Sequence, residues 1–126
     1  PARPERPGPA RYRPAAGGSG EIMCVGGRVG CTAGGRTRGP GDMAAQFGSA
    51  IQNLGVALQG AGCGPTDVVK ITYLVTDVAI YRDLLKPIGA HYREVFGRHY
   101  PASTLLEVKG LFDPAAMVEI EAVAIR

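Results

Sequence analysis

The chain has 126 residues, the length of one domain, and 45% of them are hydrophobic, enough for a core of modest size. Its net charge of +3 sits in the first fourteen residues, where Arg3, Arg6, Arg11 and Arg13 face only Glu5; the rest of the chain holds ten basic and ten acidic side chains. A neutral domain with five Tyr, three Phe and no Trp lacks the positive surface and the stacking platform that nucleic acids need, and no run reaches the ~18–20 apolar residues of a membrane span, so neither partner is expected.

In chain order, residues 1–10 (PARPERPGPA) contain four prolines and one glycine. They can form neither helix nor ladder and carry little to bury, so 1–11 reads as an extended or disordered arm and 12–126 as one domain. Its arginines are not followed by the apolar stretch of a secretory signal. Residues 21–27 (EIMCVGG) follow a glycine-rich turn and read as a short apolar strand. Residues 32–41 (TAGGRTRGPG) are a polar, glycine-rich connection whose spacing fits no phosphate-binding fingerprint.

Asp42, after Pro-Gly, is placed to cap a helix. Met43, Phe47, Ile51, Leu54 and Leu58 recur at steps of three and four, so one face is buried; Gly60 and Gly62 end the helix and Pro65 bars its continuation. Gly55 inside it costs about 1 kcal/mol against Ala, which implies close packing at that point. Residues 68–76 (VVKITYLVT) form the strongest strand pattern, apolar enough for a central place in a sheet. Asp77 caps a second helical region that runs to about Phe96. Pro87 inside it predicts a short helix over 79–85, then another with the proline in its first turn, with Ile80, Leu84, Ile88 and Val95 on the buried side. Residues 102–108 (ASTLLEV) and 117–125 (MVEIEAVAI) read as two strands joined by a hairpin-like connection. The last alternates Val118, Ile120, Ala122 and Ala124 against Met117, Glu119, Glu121, Val123 and Ile125.

This order predicts an α+β fold, one mixed sheet with two helices packed on one face. The strands carry apolar residues on both faces, so a subunit interface is the natural cover for the other. Cys24, Cys31 and Cys63 show no C-x-x-C and no histidine at zinc spacing, which points to reduced thiols in the cytoplasm, with Cys24 in the core. His91 and His99 read as helix-end residues. The carboxylates of interest are Glu107, Glu119 and Glu121. The latter two share a strand face with Met117, Val123 and Ile125, and a carboxylate covered on such a face can exchange protons near neutrality.

The stretch Pro101-Ala-Ser-Thr-Leu-Leu-Glu-Val108, a short connection and Val118-Glu-Ile-Glu-Ala-Val-Ala-Ile125 resemble the C-terminal signature of the Rid/YjgF family of reactive intermediate deaminases. Met23-Cys-Val-Gly-Gly27, the strand between Asp67 and Asp77, and Tyr92-Arg-Glu-Val-Phe-Gly97 resemble earlier parts of the same pattern. The resemblance implies a chorismate-mutase-like fold and a homotrimer with ligand clefts at its subunit boundaries. It also implies hydrolysis of small-molecule enamines and imines to 2-oxo acids and ammonia, with no metal or organic cofactor. Glu119 matches the family's water-handling Glu, Tyr12 a Tyr that lines the cleft, and Gly27 a glycine whose backbone faces the ligand. Ser103 stands where the family carries the Arg that grips a substrate carboxylate, and Leu105 stands at a Cys-or-small position. Losing that Arg removes a bidentate charged contact. Two compensations are open: Arg28 grips a carboxylate from another direction, or the ligand is not a small amino-acid-derived imine. The alternatives to a deaminase-like hydrolase are therefore a pathway enzyme for a larger, less acidic carbonyl or imine, and a non-catalytic small-molecule-binding trimer.

Overall fold

The computed structural model describes residues 15–32 and 34–126, so the Pro/Arg-rich arm and Tyr12 lie outside the described residues. Four strands make one sheet: β1 (Ile22–Val29), β2 (Val68–Val75), β3 (Ala102–Glu107) and β4 (Val118–Ile125), in the order β1-β4-β2-β3. β4 runs antiparallel to both β1 and β2, and β3 runs parallel to β2. Three helices connect them: α1 (Met43–Gly60), α2 (Val78–Asp83) and α3 (Leu85–Phe96).

α1 begins where the sequence places its cap: the Asp42 carboxylate accepts from the Ala45 N–H at 3.0 Å. It ends at Gly62, at φ +77°, whose N–H meets the Gln59 carbonyl while the Cys63 N–H meets that of Leu58. This left-handed closure is the one glycine permits cheaply. Met43, Phe47, Ile51, Leu54 and Leu58 are all 1% exposed or less and lie against β1 and β4. A Cβ on Gly55 would stand 3.3 Å from Val95 Cγ1, so the glycine marks close packing of α1 against α3.

The proline break falls as expected: α2 and α3 are separate helices, with Pro87 in the first turn of α3. Asp77 accepts from the Ile80 N–H, and Glu107 at the end of β3 accepts from the Val78 N–H at 2.8 Å. Two carboxylates thus satisfy the donors at the start of α2, a place favourable to negative charge. Ile88 is buried as expected, but Ile80 is 38% exposed, because it lies in the first turn of this short helix, at the edge of the packing.

Val118, Ile120, Ala122 and Ala124 of β4 face the helices and are at most 8% exposed, together with Ile71, Tyr73 and Val75 of β2. The opposite face carries Ile22, Leu74, Leu106, Val123 and Ile125 around Lys70, Glu119 and Glu121. Ile22 and Leu106 on it are more than half exposed. Two expectations are corrected here. The last two strands are not a hairpin: β3 lies at the far edge, and β4 crosses to the interior, where partners on both sides satisfy its backbone. Cys24 is exposed rather than core, because it sits opposite Val123 and so takes the open face, whereas Cys63 is buried.

Candidate functional site

The site is built on a defect in the β1–β4 ladder. Val25 pairs with Ala122 and Arg28 with Ile120, so Gly26 and Gly27 together oppose the single residue Glu121. Such a bulge leaves backbone groups without full ladder partners and bends the strand. Glycine suits it for a second reason. A Cβ on Gly27 would stand 2.6 Å from Glu119 Cδ, so the Glu119 carboxylate fills the place a side chain would need. Glu119 is half-buried between Val29 and Leu74 in register, while Glu121 one step along the same face is exposed. A carboxylate seated against bulged glycine backbone places a proton acceptor beside peptide groups at a break in the regular ladder. That pairing can orient a polar ligand and move a proton at it.

The remaining expected site residues are distributed differently. Ser103 lies opposite Ile71 and Leu105 opposite Tyr73, so both belong to the helix-facing side of β3; Leu105 packs on the core, and the exposed Ser103 hydroxyl donates to its own Pro101 carbonyl at 3.0 Å. Glu119 is on the other side of the sheet. Within one chain, therefore, Ser103 and Leu105 do not meet Glu119 and Gly27. Arg28 is exposed and pairs with Ile120, one step out of phase with Glu119. Tyr12 lies outside the described residues. Of the six expected residues, the structure brings together Glu119 and Gly27.

Several other titratable groups have structural occupations. Glu107 caps α2. The His91 ring lies against Gly48 of α1, and His99 Nε2 is 2.8 Å from the Val68 carbonyl. Burial pushes the Tyr81 phenol up to about 12, and burial first, then neighbouring tyrosines, raises Tyr73 and Tyr92, so none of the three gives up a proton near neutrality. Among the described residues, no group of three or more His, Cys, Asp and Glu side chains is placed to hold a metal ion.

Sequence reasoning missed the amides that support the site. Gln46 is 0% exposed; its Nε2 donates to Gly39 O (3.3 Å) and Ala115 O (3.1 Å), and its Oε1 accepts from Met117 N (2.7 Å). Asn53 Nδ2 donates to Val29 O (2.8 Å) and Cys31 O (3.1 Å). The available signal was position: residues 43, 46, 50 and 53 are spaced as one helical stripe, and a polar residue on a buried stripe requires partners. The glycine-rich connection is also pinned, by the Thr37 hydroxyl donating to Asp113 at 2.6 Å, which holds the Asp113 carboxyl below its ordinary 3.8.

Comparison with known proteins adds to this geometry. Residues 4–126 match a family described as Endoribonuclease L-PSP. A human 2-iminobutanoate/2-iminopropanoate deaminase is 34% identical over 86 residues, 68% of this chain; the match spans 59% of the length of that protein. A member of the YjgF/YER057c/UK114 family from Mycobacterium tuberculosis superposes with a TM-score of 0.68 at 31% identity, over 86% of this chain and 81% of the other. A Rid-family protein from Yersinia pestis gives a TM-score of 0.74 at 32% identity, over 86% and 80%.

Proposed function

Because the chain belongs to the Rid/YjgF family, whose model it matches along nearly its whole length, we propose that it hydrolyses an imine or enamine in clefts between the subunits of a homotrimer of chorismate-mutase-like fold. The observation that carries this reading is the Glu119 carboxylate seated on the bulged Gly27. In the proposed reaction Glu119 takes a proton from water as the oxygen adds to the C=N carbon. The nitrogen takes that proton to give a carbinolamine, whose hydroxyl proton then passes by way of Glu119 to the amine as the C–N bond breaks, so ammonia and a carbonyl compound leave and the carboxylate is regenerated. The backbone at Gly26 and Gly27 orients the substrate. No metal or organic cofactor enters this sequence of steps.

The opposite placement of Ser103 and Glu119 supports a shared cleft. Two groups on opposite faces of one sheet can line one cavity only if the second comes from another copy. Relatives named as deaminases of 2-iminobutanoate and 2-iminopropanoate act on substrates with a carboxylate. Here the Ser103 hydroxyl already serves Pro101 O and carries no charge. This favours a larger or less acidic imine within the same reaction class. A ribonuclease reading has less support: the two histidines are both engaged on the helix side, and the open face carries Glu119 and Glu121 rather than a basic groove.

The test is hydrolysis of 2-iminobutanoate, generated in situ, beside an imine lacking the carboxylate, by the wild type and Glu119→Gln. General-base catalysis contributes about 10²–10⁴-fold, so the variant loses that much kcat. Equal rates in both proteins remove Glu119 from the chemistry, and no acceleration of either substrate removes the deaminase reading.

A further inference from the structure

A bulge is a weak point in a ladder, because two residues opposite one can be accommodated one place earlier or later, and a one-place slip turns every following side chain to the other face. At this bulge such a slip would take Gly27 out from under Glu119. Something outside the ladder must hold the register, and the described contacts identify it. Gln46 and Asn53 lie two turns apart on the stripe of α1 that faces the sheet. Asn53 holds the carbonyls of Val29 and Cys31, at the end of β1 just past Gly27, and Val29 is the residue that pairs with Glu119. Gln46 holds the N–H of Met117 and the carbonyl of Ala115, just before β4 reaches Glu119. Between the two clamps, Gly30 lies directly on the α1 backbone: a Cβ there would stand 2.6 Å from Gln46 O and 2.9 Å from Gln46 Cα. Both strands are thus fixed to the same helix at the end of the ladder just beyond the bulge, where Val29 pairs with Glu119.

The geometry points to Gln46 and Asn53 as positioning residues for Glu119, clamping β1 and β4 to α1 in the register that seats the carboxylate on Gly27. Neither side chain touches the carboxylate, so both act through the backbone. The functional part of the inference rests on Glu119 being the proton-handling group; the clamping itself does not.

The experiment therefore has two arms on the full chain. In the first, Glu119 is titrated and the Gly27 amide is followed by NMR. In the wild type the Gly27 signal moves with Glu119, and Glu119→Gln abolishes the movement, which fixes its origin. Asn53→Leu and Gln46→Met remove the clamps, and the movement of Gly27 is expected to fall to less than half. Gln46→Glu keeps the acceptor for Met117 N, so it should retain more of the movement than Gln46→Met. Asn53→Ser, which leaves room for water, serves if Asn53→Leu does not fold. In the second arm, imine hydrolysis is measured well below each variant's melting temperature, with kcat expected to fall at least tenfold and KM to change less than twofold. A purely structural role would lower the melting temperature and leave both the Gly27 coupling and kcat intact. Undiminished coupling in both clamp variants overturns the inference whatever the activity. An inactive wild type with coupling lost in the variants removes the hydrolase reading and keeps the clamp.

Discussion

Gly26 and Gly27 are neighbours in sequence and opposites in surroundings. A Cβ on Gly26 meets nothing within 4 Å, whereas one on Gly27 meets the Glu119 carboxylate. Neither glycine is in the left-handed region, so alanine is tolerated by the backbone at both. Gly27→Ala is expected to displace the carboxylate and lower kcat for imine hydrolysis at least tenfold with the circular dichroism spectrum unchanged, while Gly26→Ala stays within twofold of wild type. Kinetics on the two purified variants checks this. At this scale the site was half legible. Alternation along residues 117–125 put Glu119 and Glu121 on one face, but it could not separate them; only the bulge, a property of the β1–β4 pairing, puts one carboxylate on glycine and leaves the other exposed.

Elements whose signals are local were readable from the sequence. The cap at Asp42, the stripe through Leu58, the break at Pro87 and the alternation of β4 each follow from residues within a few positions of one another, and each appears in the structure within two residues of its expected place. Strand order is not local. The stretch between β3 and β4 has the glycine and Asp-Pro of a turn, but pairing is decided by which strands can satisfy both edges of β4. The polar residues of α1 were passed over for a related reason: all but one of their partners lie 22 to 71 residues away. Asp42→Ala removes a cap bond to Ala45 N, and caps of this kind are worth about 1 kcal/mol. The expected outcome is a melting temperature lower by a few degrees with catalysis unaffected, read by calorimetry beside the activity assay.

At the scale of the molecule, the open sheet face decides whether the site is complete. Leu106 is 51% exposed on it and sits in register with Leu74. If that face is the seam between subunits, Leu106→Asp buries a charge there, and the trimer is expected to dissociate, with loss of hydrolysis and retention of helix content. Sedimentation velocity reads the size directly, and an unchanged particle would move the seam elsewhere. The sequence implied a covered face but not that Ser103 and Glu119 lie on opposite sides of the sheet, so that in the proposed cleft the two come from different copies. The strand order also bears on how the chain is made. β4 lies between β1 and β2, yet it is the last of the four strands to emerge during synthesis. A nascent chain that has reached Phe96 holds β1 and β2, which do not pair with each other, and α1 has no sheet to close against. At about 5–20 residues per second the missing strand follows within seconds. During that interval the Val68–Val75 segment, β-branched and apolar, has neither sheet partner, and an unpaired edge of this kind invites pairing with other chains.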